Sequence, residues 1–248
     1  MELTVLGSCG GWSSAGRACS GYLLRTVHTR LWVDAGSGTF AELLRHTGLD
    51  DLDAVWISHL HPDHVVDVTQ AWQAITYGGA RAGRPLPVYG PPGWAARLDA
   101  LLGQPGAGAA AFEVHELHDG HTAVHGDVEL ATVAVPHGVP AFGLRAASRD
   151  GHLLAYSGDC GPEVGGVADG AGLLLCEAYL ALPGARPSAT VKTPEQAGRV
   201  ASRAGAELLV LTHLHPDADP EYARRQAATT FRGPVAVAGS GQTYEVPR

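Results

Sequence analysis

The sequence predicts an α/β protein built as a four-layer αββα sandwich, and three observations carry that prediction. The pentapeptide His-Leu-His-Pro-Asp occurs twice, at 59–63 and at 213–217. Each copy ends an apolar, strand-like run and is followed by a helix-like segment, so the copies occupy corresponding places in two β-rich halves. Each half also carries amphipathic helices that must bury one face. Two sheets packed face to face, with the helices outside, satisfy both halves at once.

Taken in order, the first segments are ELTVLGS, SGYLLRT and TRLWVDAG. Each is short, holds β-branched or aromatic residues and is bounded by Gly or Ser, which is the pattern of hairpin strands. GTFAELLRHTG reads as a helix with Phe40, Leu43 and Leu44 on one face and Gly48 as its stop. LDAVWIS is a buried strand running into the first pentapeptide, and VVDVTQAWQAI is the helix beyond it. GGARAGRPLP and LLGQPGAGAAA read as loops of one body, so residues 1–248 are expected to form a single domain.

The second half repeats the plan. DVELATVAVPH, AFGLRAAS, HLLAYSGD and GLLLCEA read as strands. TPEQAGRVASRAG opens a helix with Thr193 as N-cap and Pro194 in its first turn. AELLVLTHLHPD is a strand ending in the second pentapeptide, DPEYARRQAATTF a helix, and GPVAVAG the last strand.

A net charge of −8 with scattered arginines argues against a dedicated nucleic-acid binder, which needs clustered cations to neutralise phosphates. The four cysteines show no CxxC spacing. MELTVLG has neither a basic n-region nor an apolar h-region, and no apolar run reaches the ~20 residues that cross a bilayer. These features predict a cytoplasmic protein with reduced thiols and no membrane insertion.

Side chains alternate in an extended segment, so His59 and His61 point the same way, and Pro62 keeps the residue before it out of the helical region. Asp63 and His64 then project from the start of a helix toward the same space. Four polar groups at a buried strand end would be costly without a cation, and because they project from two backbone directions within six residues they are too many for one tetrahedral zinc in this geometry, which suggests two metals. His137, Asp159 and His213 also end apolar runs at Gly- or Pro-marked turns and are further candidate ligands.

With LTVLGSCGGWSS, LWVDAGSGT, HLHPDH, PVYGPPG, VPHGVPAFGLR, YSGDC and LVLTHLHP, the chain resembles the metallo-β-lactamase superfamily nearly throughout. Within it, the resemblance is to the branch of ribonuclease Z and the atypical class II cyclic-nucleotide phosphodiesterases. It implies that His59, His61 and His137 hold one metal, that Asp63, His64 and His213 hold a second, and that Asp159 bridges them. The metals would be two divalent ions, zinc by preference and manganese as the other candidate. Ribonuclease Z carries a tRNA-gripping arm between the positions of His137 and Asp159; only GVPAFGLRAASRDGHLLAYSG stands there, so tRNA is not an expected partner. The resemblance favours a homodimer.

The expected reaction is hydrolysis of a small phosphodiester, such as a cyclic nucleotide, by a metal-bridging hydroxide that Asp63 also orients. The alternative is an acyl hydrolase acting on a lactone, thioester or β-lactam through the same site. The family's usual proton-donating histidine is matched by Val191, and His215 is the replacement expected, held extended by Pro216 on the side of His213. Asp34 is expected to support ligands through hydrogen bonds, Glu177 to cap a strand end, and His115, His118, His121 and His125 to be solvated. Of the five tryptophans, Trp12 alone is expected near the pocket.

Overall fold

A computed structural model describes residues 1–248. The first half contains β1 (Glu2–Gly7), β2 (Gly21–Arg25), β3 (Arg30–Ala35), α1 (Thr39–Leu43), β4 (Ala54–Trp56), α2 (Pro62–Val65), α3 (Val68–Thr76), β5 (Leu86–Gly90), α4 (Trp94–Leu102), α5 (Ala107–Ala111) and β6 (Phe112–Glu116). The second contains β7 (Thr122–His125), β8 (Val128–Ala134), β9 (Phe142–Ser148), β10 (Leu153–Tyr156), β11 (Leu173–Glu177), α6 (Pro194–Ala204), β12 (Leu208–Thr212), α7 (Pro220–Ala228), β13 (Val235–Val237) and β14 (Thr243–Glu245).

These strands form two seven-stranded sheets, ordered β14-β1-β2-β3-β4-β5-β6 and β13-β12-β11-β10-β9-β8-β7. Each sheet is antiparallel at one end and parallel at the other, as β3 to β6 and β10 to β13 show. Strand alternation divides the core into layers. Leu3, Val5, Leu24, Val33 and Trp56 face Leu144, Tyr156, Leu175 and Val210 between the sheets. Leu23, Trp32 and Val55 turn outward to meet Trp72, Trp94 and Leu98 of the helices, and Leu174, Leu209 and Leu211 do the same beneath α6 and α7. The α/β sandwich expected from the sequence is the fold observed.

Three local readings need correction. GPVAVAG does not supply the last strand, because β14 follows and pairs Tyr244 with Leu3, returning the chain's end to the first sheet. LLGQPGAGAAA is not a plain loop, since α4 ends within it and AGAAA forms α5, whose start Asp99 fixes by accepting the N–H groups of Gly106 and Gly108. VVDVTQAWQAI breaks between α2 and α3, where Asp67 turns aside to accept the N–H of Phe40. The boundary of α6 is as read: Thr193 and Gln196 form a reciprocal capping box.

Candidate metal centre

The strands β3, β4, β8, β10, β11 and β12 all end at the same edge of the sandwich, and the loops leaving them carry the polar residues. This is where an α/β scaffold can gather side chains from distant parts of the chain. β4 leads through Ser58 to His59; His61 takes the extended N-cap conformation (φ −69°, ψ 145°), and Pro62 starts α2. The turn brings Asp63 and His64 in from a second direction, as expected. Gly36 allows the approach, because a Cβ there would lie 2.0 Å from the Asp63 carbonyl oxygen.

All seven expected ligand residues converge. Their donor atoms form three overlapping groups, His59 with His61 and His137, His59 with His64 and Asp159, and Asp63 with His64 and His213, each within 4.8 Å. The outward nitrogens of three imidazoles are already committed. His64 Nδ1 donates to Asp34 Oδ2 (2.8 Å) and His137 Nδ1 to the Thr190 carbonyl (2.8 Å). Ser58 Oγ donates to Asp34 Oδ2, so at 3.0 Å it accepts from His59 Nδ1. The Nε2 lone pairs of His59, His64 and His137 are thereby aimed inward.

A cation fits this donor set. His61 Nδ1 stands 3.0 Å from His59 Nε2 and 3.2 Å from His137 Nε2, an arrangement of facing acceptors that a positive charge among them would relieve. His64 Nε2, Asp159 Oδ1 and His213 Nδ1 are buried without a hydrogen-bond partner. Burial, then His64, push the His59 imidazole well below its ordinary range, and burial with His137 lowers His61, so both are kept neutral as ligation requires. Burial opposes ionisation of Asp63 and Asp159, yet positive charge facing them holds both carboxyls well below the carboxylate range; without an ion that charge falls to His64 and His213, whose imidazoles the same carboxylates raise against burial, and a bound cation would take its place. Two buried carboxylates at the centre therefore call for positive charge.

Asp34 proves more central than its reading as a supporting residue suggested. Fully buried, it accepts from Ser58 N (2.7 Å), Ser58 Oγ (2.8 Å), His64 Nδ1 (2.8 Å) and Tyr156 Oη (2.7 Å). Its φ of 55° lies in the left-handed region, as does that of His213 at 52°. The conformation at His213 overturns the extended segment expected there, so alternation does not place His215 beside it. His215 instead packs between Trp12 (ring centroids 5.0 Å) and Tyr179 (5.4 Å), and Tyr179 in turn touches His213 (5.6 Å). Trp12 is 50% exposed, while the other four tryptophans are core. Its loop is tied to the centre by the Gly11 N–H, which donates to Asp63 Oδ2 (2.8 Å).

Glu177 does more than cap its strand: it accepts the N–H groups of Cys160, Tyr179 and Lys192. Sequence reasoning missed Lys192, Ser58, Thr190 and Tyr179; of these only Ser58, adjacent to His59, carried a signal. His115, His121 and His125 do not form a ligand group but surround Tyr89, with ring centroids at 4.4, 5.7 and 5.5 Å. No helix is long and apolar enough to cross a membrane.

Comparison with known proteins identifies the family of this fold. A family model described as the β-lactamase superfamily domain matches residues 29–214. An uncharacterized protein of Mycobacterium tuberculosis is 33% identical over 255 residues, covering 100% of this chain and 93% of that one. The metallo-β-lactamase-fold protein YhfI of Bacillus subtilis superposes with a TM-score of 0.86 at 28% identity, covering 98% of each chain. Ribonuclease Z of Myxococcus xanthus is 29% identical over 305 residues, covering 100% of this chain and 98% of that protein.

Proposed function

The chain belongs to the β-lactamase superfamily, on its ribonuclease Z-like branch, and is a metal-dependent hydrolase; from that premise we propose that it cleaves a small phosphodiester, such as a cyclic nucleotide, at a two-ion centre. The observation that carries the proposal is the set of three overlapping donor groups, more than one ion can use. His59, His61 and His137 would hold one ion and Asp63, His64 and His213 the other. Asp159 would stand between them, its Oδ2 facing Nε2 of His59 (3.7 Å), His64 (3.4 Å) and His213 (3.2 Å). Zinc suits a set dominated by imidazole, with manganese as the other candidate. Bound there, the ions supply Lewis acidity that acidifies water and polarises a phosphoryl oxygen.

The remaining chemistry falls to the chain's own residues. Asp34 and Thr190 keep His64 and His137 in the tautomers that present Nε2. Trp12, His215 and Tyr179 offer aromatic surface beside the centre on which a planar base can stack. β9 and β10 are joined by residues 149–152 alone, so nothing like a long arm stands between His137 and Asp159. A small substrate suits that rim better than a folded RNA does. The test is one panel of bis(p-nitrophenyl) phosphate, cyclic AMP, a homoserine lactone, a thioester and a chromogenic cephalosporin. Phosphodiester turnover is expected to lead; a lactone or thioester exceeding both phosphodiesters a hundredfold in kcat/KM would replace this reading with acyl hydrolysis.

His215 is the residue we assign to protonating the leaving group. The Asp217 N–H donates to its Nδ1 (3.2 Å), which in the neutral ring puts the proton on Nε2; the acid is the imidazolium that forms when the ring takes up a second proton, and Nε2 is the atom that would deliver it. His215→Ala is expected to keep its metal and to lose about tenfold or more in kcat on a poor leaving group, with a much smaller loss on p-nitrophenolate. Equal losses on both, or loss of metal, would give His215 a structural part.

A further inference from the structure

Behind Asp159, the next residue's thiol meets the single lysine of the chain. Lys192 Nζ donates to the Cys160 carbonyl (2.9 Å) and stands 2.6 Å from Cys160 Sγ, with Glu177 Oε1 at 4.0 Å. All three side chains are fully buried. A nitrogen–sulfur separation of 2.6 Å is short even for a hydrogen bond, since N–H···O bonds span roughly 2.7 to 3.2 Å and sulfur is the larger acceptor. It does match a covalent geometry. With radii of about 1.0 Å for sulfur and about 0.7 Å for nitrogen and oxygen, one oxygen singly bonded to both atoms holds them roughly 2.5 to 2.6 Å apart. A direct N–S bond would need only about 1.7 Å on the same radii.

We propose that Cys160 and Lys192 are a modification site, at which hydrogen peroxide or dioxygen joins Sγ to Nζ through a single oxygen as a reversible S–O–N bridge. With peroxide, the first equivalent oxidises the thiol to a sulfenic acid and releases one water. The second removes one hydrogen from the sulfenic hydroxyl and one from the neutral amine, forms the O–N bond, and leaves as two waters. Glu177, the carboxylate nearest Nζ, takes the proton that the ammonium must first give up. Dioxygen achieves the same four-electron change, placing one atom in the bridge and releasing the other as water. Four equivalents of thiol reverse it, restoring thiol and amine with one water and two disulfides.

The site is specific to this pair. Cys9, Cys19 and Cys176 are also free and buried, but Lys192 is the chain's only lysine and its Nζ hydrogen-bonds Cys160 alone among them. The bridge would close the segment from 160 to 192 and fix the residue that follows Asp159, which adds stability by restricting the unfolded chain.

The experiment treats metal-loaded, full-length protein with hydrogen peroxide, or with air, and reads the intact mass, the thiol count after denaturation and a peptide map. The expected result is a gain of about 14 Da, loss of one thiol, a cross-linked peptide joining Cys160 to Lys192 and a Tm higher by several degrees, all reversed by dithiothreitol. Cys160→Ser and Lys192→Arg should both abolish the gain. Oxidation that adds about 16 or 32 Da at cysteine without a cross-link, or that removes two thiols as a disulfide, would overturn the proposal. The peptide map of the unaltered chain decides the matter even if neither variant folds, and no readout depends on the substrate.

Discussion

Asp63→Asn should fold as the parent does, bind less metal and lose about 10³ or more in kcat/KM toward bis(p-nitrophenyl) phosphate, equivalent to about 4 kcal/mol of transition-state stabilisation. The side chain's Oδ2 accepts from Gly11 N (2.8 Å), lies 3.1 Å from His213 Nε2 and faces His64 Nε2 at 3.5 Å. An amide of the same shape can still accept the Gly11 N–H, so the Trp12 loop stays in place. What goes is one of the two negative charges that balance a cation in a buried setting, where a lost charge is poorly replaced by solvent. Elemental analysis, circular dichroism and turnover on the same sample separate the effects. Full metal content with parental turnover would remove Asp63 from the centre; loss of the folded spectrum would make its part structural.

The fold was legible because burial writes itself into sequence at two periods. LTVLG and LLVLT are strand-like whatever surrounds them, and a helix beginning Thr193-Pro194 with Gln196 announces its own start. β14 was not legible, since a three-residue strand with exposed Thr243 and Glu245 is defined by the partner β1 and by no pattern of its own. The break between α2 and α3 depends on Phe40, far away in sequence, which offers Asp67 a backbone N–H.

The candidate ligands divide in the same way. His59, His61, Asp63 and His64 show themselves through spacing within six residues, whereas His137, Asp159 and His213 are unremarkable singly and meet only because their strands end at one edge. The residues that orient them were harder still. Thr190 acts through its carbonyl, which every residue possesses, and Gly11 acts through its N–H. The extended reading of 213–217 failed at His213, where a left-handed φ of 52° cannot be inferred from a histidine in an apolar run.

Asp34 is where fold and centre depend on one side chain, and two substitutions should separate the two debts. Asp34→Asn tolerates the left-handed backbone, because asparagine adopts φ near 55° more readily than other side chains with a Cβ. It keeps the shape but loses the charge, and its amide can no longer accept from Ser58, His64 and Tyr156 together. His64 is then free to present the wrong tautomer, so metal affinity is expected to fall about 10- to 100-fold, with a smaller loss of Tm than Asp34→Ala gives. Asp34→Ala adds a backbone mismatch at positive φ and leaves the donors of Ser58, His64 and Tyr156 buried without their acceptor. That variant should lose about 3 to 5 kcal/mol in urea unfolding at unchanged m, or roughly 6 to 20 °C in Tm. Competition with a chromophoric chelator measures the first effect and denaturation of chelated protein the second. If Asp34→Asn binds metal as the parent does, the hydrogen bond to His64 Nδ1 serves the fold alone, and the tautomer of His64 must be set by the metal itself.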